Sequence, residues 1–417
     1  MSRNSTTTRD VTFDNSLNNE RTTYIVVMGL RVLEQHIAVF GESGSGKTVL
    51  LSSFYGLMRE KQTQARTRLD VVADDAGQGD RLLSYYLGMS REGRAPAGNR
   101  FASIPYSFTA HLDHQPGSKS GAKYDGIRLI WHDYPGEWFH NSASGPTEEG
   151  LRAETFQKLL ASDVALILVD GEKLAKNVGH ESEYLKLLFT NVRNGLLPVV
   201  DELLNSGKPL ARFPRIWMFA LSKSDVLPNV EVTDFRDMVV LGAAHEVDQL
   251  RKLLERVVLG KDALSVGEDF VLLSSARFTP GAIEVAHRIG VDLLMPIATV
   301  LPLRRFLRWA EFRTLQGKVA ETLLGHASAA AAVAVVLVGF LGRFAKLDGP
   351  IGKIAGLISS AISKEMIDQL VKLAGDKLRE ANVDAVAKGD YLRAALMQFG
   401  IDLEDGEKRN ILLRSKR

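Results

Sequence analysis

The chain has 417 residues, of which 45% are hydrophobic, and its formal net charge is +2. This length has room for about two or three domains. The near-even charge excludes the strongly positive electrostatic potential that is typical of nucleic-acid-binding proteins, so no nucleic-acid partner is expected. The absence of cysteine excludes disulfides and thiol chemistry and is typical of a reducing cytoplasm. Residues 1–23 are polar without an apolar signal-peptide core, which predicts a disordered arm; the alternative is an arm that binds a partner.

A glycine-rich stretch between a predicted strand and a predicted helix matches the spacing G-x-x-x-x-G-K-[ST]. The strand is the apolar run His36–Phe40, and the helix begins with Val49–Phe54. Glycine lets the backbone wrap a phosphate, Lys47 adds a positive charge, and the Thr48 hydroxyl is placed to bind Mg²⁺. The pattern predicts a nucleoside triphosphate site. Its candidate residues are Gly41, Glu42, Ser43, Gly44, Ser45, Gly46, Lys47, Thr48 and Val49.

The segment after this helix contains weaker signals. It predicts a short strand at Leu69–Ala73, a short helix at Asp80–Leu87 and a Gly/Pro/Arg-rich loop at Ser90–Arg100. Two alternating runs then follow, Phe101–Leu112 and Gly126–His132, separated by a Gly- and Ser-rich link. We expect them to pair as an antiparallel hairpin at the edge of a mostly parallel sheet.

The second of these strands ends in the sequence Asp-Tyr-Pro-Gly-Glu-Trp, which begins at Asp133. A carboxylate at the end of a strand beside the phosphate loop is where a second Mg²⁺-organising group is needed. Gly136 brings a backbone N–H near a terminal phosphate without a side-chain clash. The alternative is a surface turn, because Asp-x-Pro-Gly is also good turn chemistry.

Two continuous apolar runs predict strands that are buried on both faces, Asp163–Gly171 and Arg215–Leu221. We expect the acids at the ends of the first run to be solvated. Between the two runs, His180–Asn205 predicts a long amphipathic helix with a break at Pro198. The last strand of the sheet is expected at Asp269–Leu273.

The second buried strand leads into Ser222, Lys223, Ser224 and Asp225. A carboxylate accepts two hydrogen bonds from the N1–H and exocyclic amine of guanine, whereas adenine offers no such donor pair. The stem of a lysine can lie across the base. The alternative is a Lys/Asp pair in a polar turn. Ser222, Lys223 and Asp225 are therefore candidate base-binding residues, and the small residues Ser275 and Ala276 could back the base.

The order of these motifs resembles that of the translation-factor-related (TRAFAC) class of P-loop GTPases, and the sequence from Asp133 is similar to the bacterial YcjX-like and double-GTPase proteins. The resemblance extends over about residues 24–296 and implies GTP/GDP and Mg²⁺ as ligands. It implies that Lys47 and Thr48 hold phosphates and Mg²⁺ and that Asp133 acts on Mg²⁺ through water. It also implies that Gly136 senses the γ-phosphate, and that guanine is read by Lys223 and Asp225.

Two departures from the family pattern concern hydrolysis. Glu137 stands where many members have the glutamine that orients the attacking water, and the loop Ser90–Arg100 lacks the threonine that usually closes over Mg²⁺. The candidate catalytic residues are Lys47, Asp133 and Glu137. We expect slow GTP hydrolysis that a protein partner or homo-oligomerisation accelerates.

The last third of the sequence predicts helices. Leu323–Gly342 is apolar apart from His326 and long enough to span a bilayer core, and Gly349–Ser363 is apolar apart from Lys353. Three alternatives stay open for this region: a buried helix of a small bundle, a hairpin in or on a membrane, and an oligomerisation core.

The predicted fold class is α/β, with a P-loop NTPase domain of mostly parallel sheet and an antiparallel edge strand, followed by an α-helical domain. The predicted division is an arm at 1–23, a GTPase domain at 24–296, a helical domain at 297–406 and a basic tail at 407–417. The predicted function is a cytoplasmic guanine-nucleotide switch with a protein effector or a peripheral membrane contact. The alternatives are a P-loop ATPase or kinase, and an interaction protein that holds nucleotide without turnover.

Overall fold

The computed structural model describes residues 26–27, 30–96, 105–112, 126–133, 136–139, 145–207, 210, 213–258, 261, 264–279, 282–290, 292, 295–305, 369 and 373–415. Three predictions lie outside the described residues: the arm at 1–23, the apolar stretch 323–342 and the apolar stretch 349–363. The predicted loop at 90–100 is described as far as residue 96.

One mixed sheet forms the centre of the described structure. Its strands are β1 (Val26–Val27), β2 (Leu30–Phe40), β3 (Leu69–Ala73), β4 (Tyr106–Leu112), β5 (Gly126–His132), β6 (Val164–Asp170), β7 (Ile216–Ser222), β8 (Ser265–Leu272) and β11 (Leu412–Leu413). Two further strands, β9 (Arg277–Thr279) and β10 (Ala282–Glu284), form a separate hairpin. The sheet order is β11-β8-β7-β6-β2-β5-β4-β3, and β1 pairs with β2. Strands β5, β2, β6, β7 and β8 are parallel neighbours, while β3, β4 and β11 pair antiparallel at the two edges.

Helices cover this sheet, which confirms the predicted α/β class with its antiparallel edge and helical C-terminal region. They are α1 (Lys47–Met58), α2 (Lys61–Thr67), α3 (Ala76–Glu92), α4 (Pro146–Leu160), α5 (Gly171–Lys176), α6 (Glu181–Asn205), α7 (Val232–Glu255), α8 (Asp376–Ala387) and α9 (Tyr391–Lys408). Residues 295–305 are also helical. Every residue of β6 and β7 is buried, because both faces of these central strands are covered.

Local chemistry makes α3 longer than the predicted helix Asp80–Leu87. The Asp75 side chain accepts a hydrogen bond from Gln78 N at 2.7 Å and caps the start of the helix. At the other end, Gly93 adopts a left-handed conformation with φ of 60°, which terminates the helix. The predicted strand at 69–73 and the antiparallel pairing of β4 with β5 both match the structure.

The predicted break at Pro198 is wrong, because α6 continues through this residue. A proline removes one backbone donor, but the apolar face on both sides of it stays packed: Leu196, Val199 and Val200 are each at most 1% exposed. Tertiary burial therefore outweighs the local helix-breaking tendency.

The final described residues do not form a separate basic tail. Leu412 and Leu413 pair with β8 as the edge strand β11, and Ser415 N donates to Asp269 Oδ1 at 2.9 Å. The edge of β8 presents unpaired backbone groups, which this short strand satisfies. Asp269–Leu273 is consequently not the last strand of the sheet.

The described C-terminal helices pack against the sheet domain. Leu378 of α8 and Leu396 of α9 are fully buried in the same apolar core as the central strands. Helix α8 begins directly after Gly375. The division into a GTPase domain and a helical domain stays a prediction.

No helix in the described part of the chain combines the length and hydropathy needed to cross a bilayer.

Candidate nucleotide-binding site

The phosphate loop connects β2 to α1 at the carboxyl edge of the parallel strands. Gly44 and Gly46 have φ values of 81° and 92°, a left-handed region that favours glycine. The turn is closed by a hydrogen bond from Ser45 N to Glu42 O at 3.2 Å. Ser43 and Gly44 are exposed, so the outer face of the loop is open to a ligand.

Lys47 lies across this loop. Its Nζ donates to Gly41 O at 2.6 Å and to Glu42 O at 3.0 Å, and the residue is 8% exposed. Burial lowers the pKa of Lys47, while the carboxylates of Asp133 and Glu42 oppose that shift. The ammonium group therefore lies between the loop carbonyls and within the field of Asp133, where it would meet a bound phosphate.

Asp133 and Gly136 approach the phosphate loop from the end of β5. Asp133 is 7% exposed and directly follows His132, which pairs with Ala38 of β2. A Cβ atom on Gly136 would lie 2.4 Å from Ser43 N and 2.5 Å from Glu42 C, so only glycine fits against the loop. The sheet therefore brings the two predicted phosphate motifs into contact.

The residues at this end fit a magnesium ion. Thr48 stands in the first turn of α1, and the Asp133 carboxylate is one of two acidic groups that act on the charge of Lys47. Mg²⁺ keeps several waters and takes its other oxygens from substrate phosphates, so it needs only one or two protein ligands. The described residues contain no cluster of three or more His, Asp or Glu side chains that could hold a metal by themselves.

Glu137 lies in the 3-10 turn Gly136–Phe139, immediately after the glycine that contacts the loop. The structure describes its backbone only. Its catalytic role stays a prediction.

The Glu42 side chain points away from the open face of the loop. It is 3% exposed, and its Oε2 lies 2.6 Å from Lys173 Nζ on α5 and 3.5 Å from the Tyr184 hydroxyl on α6. Burial and the Glu42 charge raise the pKa of Tyr184. The same hydroxyl accepts a hydrogen bond from Asp170 N at 3.0 Å. This network links the phosphate loop to the helices that follow β6.

At the opposite end, Lys223 is held by two carboxylates. Its Nζ lies 2.9 Å from Asp170 Oδ2 and 2.9 Å from Glu172 Oε2. Burial lowers the pKa of Lys223, but these hydrogen bonds and charges outweigh burial and raise it overall. The prediction that Asp170 is solvated is wrong, since this residue is 2% exposed and caps α5 by accepting from Glu172 N at 3.0 Å.

Asp225 receives its orientation from a neighbouring loop. Ser274 Oγ donates to Asp225 Oδ1 at 2.6 Å, and Ser224 N donates to Leu273 O at 3.1 Å, so the loop after β7 is tied to the end of β8. On the other side of this loop, Gly171 lets the start of α5 pack closely, because a Cβ atom there would lie 2.7 Å from Ser222 O. Asp225 remains half-buried and open to a ligand.

A cavity of about 470 Å³ joins the two ends of the site. The predicted site residues that line it are Gly44, Ser45, Gly46 and Val49 from the phosphate loop and α1, and Ser222, Lys223, Asp225, Ser275 and Ala276 from the loops after β7 and β8. The remaining predicted residues do not line it: Gly41, Glu42, Ser43, Lys47 and Thr48 belong to the turn after β2 and the start of α1, and Asp133, Gly136 and Glu137 follow β5. The fold therefore brings together motifs that are far apart in the sequence.

Several residues of this site were missed in the sequence analysis. Asp170 at the end of β6 pairs with Lys223, Lys173 on α5 pairs with Glu42, and Ser274 positions Asp225. Phe278 lines the cavity from the β9–β10 hairpin. Ser274 directly precedes the predicted Ser275 and Ala276 and could have been included with them. The pairing of Lys173 with Glu42 has no local sequence signal.

Comparisons with known proteins show distant similarity only. No family model and no curated protein matches the chain. The chain is similar to the signal recognition particle receptor SRb-GTP/SRX complex from Chaetomium thermophilum, with 17% identity over 59% of this chain and 93% of that one and a TM-score of 0.27. For the cytosolic domain of the T. maritima FeoB iron transporter in its GMPPNP form, the identity is 10%, over 88% and 97% of the two chains, with a TM-score of 0.27.

A third solved structure with similarity to the chain is Methanosarcina barkeri Roco2 RocCORdC bound to GDP. The identity is 10%, over 96% of this chain and 98% of that one, and the TM-score is 0.24. At these values the similarities carry no argument about the site. The α/β fold stands on the sheet order, with the phosphate loop between β2 and α1.

Proposed function

We propose that the chain is a guanine-nucleotide switch that binds GTP or GDP with Mg²⁺ and hydrolyses GTP slowly. The observation that supports this most directly is the cavity that runs from the phosphate loop to Asp225, whose carboxylate is oriented by Ser274. The two ends suit the two ends of a nucleotide, because one offers backbone N–H groups and a lysine and the other an oriented acceptor.

Each candidate residue has a separate role in this proposal. Lys47 would neutralise phosphate charge, while Thr48, and Asp133 through water, would hold Mg²⁺, which would supply further charge neutralisation. Gly136, which already touches Ser43, would report the γ-phosphate through its backbone. Asp225 accepts from the guanine edge, and Lys223, braced by Asp170, flanks the base. Glu137 is the candidate that orients the attacking water.

The alternative of an ATPase or kinase is tested by nucleotide competition. With Mg²⁺ present, GTP and GDP should bind more tightly than ATP. The Asp225→Asn variant should lose about 10- to 100-fold in GTP affinity, because hydrogen bonds to a charged group are worth roughly 1.5–3 kcal/mol, and its ATP affinity should change little. Asp248→Asn, at an exposed position on α7, is the control. Equal or tighter ATP binding by the wild type would overturn the guanine assignment.

The alternative of an interaction protein without turnover is tested by the metal-site carboxylate. Asp133→Ala should abolish slow, Mg²⁺-dependent phosphate release and remove the nucleotide dependence of partner binding or self-association. If the wild type releases no phosphate over many hours, and Asp133→Ala binds its partner as the wild type does, the bound nucleotide is structural.

Whether the protein acts at a membrane is a separate question, which arises from the apolar composition of residues 323–342. Co-sedimentation with anionic liposomes, with and without residues 318–364, distinguishes the membrane alternative from the buried-helix and oligomerisation alternatives. Full-length protein that stays in the supernatant at low salt with either GTP or GDP would count against membrane insertion. Light scattering of the same two proteins then tests for an oligomerisation core.

A further inference from the structure

A short hairpin extends one wall of the candidate site. Strands β9 and β10 follow directly after Ala276 and pair antiparallel, with Phe278 opposite Ile283. Residues that are direct partners in an antiparallel pair share a face of the ribbon. Ile283 is 7% exposed and packs with Tyr86 and Met89 of α3, so the shared face is turned towards α3 and the cavity.

The hairpin packs on α3, and the segment after the hairpin is tied to the turn between α1 and α2. Besides the apolar contacts of Ile283, Arg288 NH2 lies 3.3 Å from Glu60 Oε2. The other oxygen of Glu60 accepts a hydrogen bond from the Tyr86 hydroxyl at 2.6 Å. Burial and this contact raise the pKa of Tyr86 to about 12, so the hydroxyl stays protonated and keeps donating. The hairpin that carries Phe278 is therefore anchored to α3 through Ile283.

Among the described residues that line the cavity, Phe278 is the aromatic one, and its side chain remains 48% exposed; the apolar side chain of Val226 is exposed as well. Most residues at the base end of the cavity are small or polar, including Lys223, Asp225 and Ser275. An exposed aromatic ring at the mouth of a cavity has a face that a planar ligand can cover, and this removes apolar area from water.

We propose that Phe278 is the aromatic contact for the base of the bound nucleotide and sets affinity without selecting the base. This inference rests on the proposed nucleotide-binding function and adds a division of labour to it. Asp225 contacts the edge of the base, where guanine differs from other purines, and Phe278 contacts its face, which all purines share. Stacking on an aromatic side chain tolerates any base and has an affinity effect on the order of tenfold or more.

The test uses the full-length chain and two diphosphates that differ by one amine. GDP carries the exocyclic amine that Asp225 would accept from, and IDP lacks it. Phe278→Ala should weaken GDP and IDP by the same factor, about tenfold, measured by isothermal titration with Mg²⁺. Asp225→Asn should instead weaken GDP much more than IDP. Phe278→Trp should retain affinity for both, and its added fluorescence should change when either diphosphate binds.

Arg277→Ala is the matched control, because Arg277 is on the same strand but does not line the cavity. It should bind both diphosphates as the wild type does. If the wild type binds neither diphosphate, the proposed function itself fails. If the wild type binds and Phe278→Ala binds equally well, only the role of Phe278 is overturned. A Phe278→Ala variant that loses affinity for GDP but not for IDP would also overturn it. If Phe278→Ala fails to fold, the fluorescence of Phe278→Trp still tests the proposal, because an unchanged signal on binding of either diphosphate would contradict a contact with the base.

Discussion

At the scale of single residues, the candidate site depends on neighbours that orient the motif residues. Asp225 is held by Ser274, Lys223 by Asp170 and Glu172, and the phosphate loop is in contact with Gly136. A binding group acts at full strength only when its orientation is fixed before the ligand arrives. Changes at these supporting residues should therefore affect nucleotide affinity.

Ser274→Ala removes the hydrogen bond that fixes one oxygen of Asp225. We expect GDP affinity to fall about fivefold to tenfold, since a hydrogen bond of this kind contributes on the order of 1 kcal/mol. IDP affinity should fall less, because IDP makes one fewer contact with Asp225. Isothermal titration measures both. Ser206→Ala, at an exposed site after α6, is the control, and an unchanged GDP affinity in Ser274→Ala would contradict the orienting role.

Gly136→Ala introduces a Cβ atom 2.4 Å from Ser43 N. The phosphate loop and the turn at Gly136 would have to separate, so GTP affinity should fall by about tenfold or more. Equilibrium binding of GTP with Mg²⁺ provides the measurement. Gly145→Ala is a matched control on the same segment of chain, because a Cβ atom there meets nothing within 4 Å. Equal GTP binding by the two variants would show that the contact is not needed.

At the scale of elements, α3 supports the base end of the site through a small apolar cluster. Its buried members are Tyr86 and Met89 of α3, Ala276 of the loop after β8 and Ile283 of β10. This cluster is separate from the main core, so the loop at Ala276 and the hairpin depend on α3 for their position. The segment between β3 and β4 thereby contributes to the site without containing a binding motif.

Met89→Ala creates a cavity in this cluster, because the wild-type side chain is fully buried. The unfolding free energy should fall by about 2–5 kcal/mol, and GDP affinity should also fall. Leu250→Ala is the control, since Leu250 is equally buried but lies on α7 in the main core. It should lose comparable stability in urea unfolding and keep its GDP affinity at a temperature where both variants are folded. Weakened GDP binding in both would point to a general loss of stability.

At the scale of the whole molecule, a buried carboxylate connects distant segments. Asp269 of β8 is fully buried, and its two carboxylate oxygens accept hydrogen bonds from Arg305 NH2 at 2.9 and 3.1 Å. One of these oxygens also accepts a hydrogen bond from Ser415 N at 2.9 Å. The residue therefore joins the sheet to the helical segment 295–305 and to the residues that follow β11. Burial raises the pKa of Asp269, and the Arg305 charge opposes that rise.

Arg305→Ala leaves this buried carboxylate without its cation. The unfolding free energy at pH 7 should fall by about 3–5 kcal/mol. A carboxyl whose pKa is raised in the folded state stabilises fully below its unfolded pKa, near 3.9, and loses that contribution as the pH rises. The deficit of the variant should therefore shrink as the pH falls from 7 towards 4. Urea unfolding over this range measures it. Arg236→Ala, in an exposed ion pair with Asp237, should lose only about 0–1 kcal/mol at every pH.

The sequence by itself determined those features that depend on local chemistry. The spacing around Lys47 predicted a phosphate loop, and Gly44 and Gly46 there adopt the left-handed backbone that favours glycine. Continuous apolar runs identified β6 and β7 as strands buried on both faces. The residue order at Ser222–Asp225 predicted the base-binding loop, and the structure brings that loop to the same cavity as the phosphate loop.

The tertiary structure alone decided what distant segments do to one another. It made Asp170 a buried partner of Lys223, kept α6 helical through Pro198 and used Leu412 and Leu413 to complete the sheet. These outcomes have no local sequence signal, because each depends on which surface lies opposite in space. Packing and charge pairing across the sheet can exceed the roughly 1 kcal/mol preferences that local sequence encodes, so the supporting residues of the site emerge only when the chain is folded.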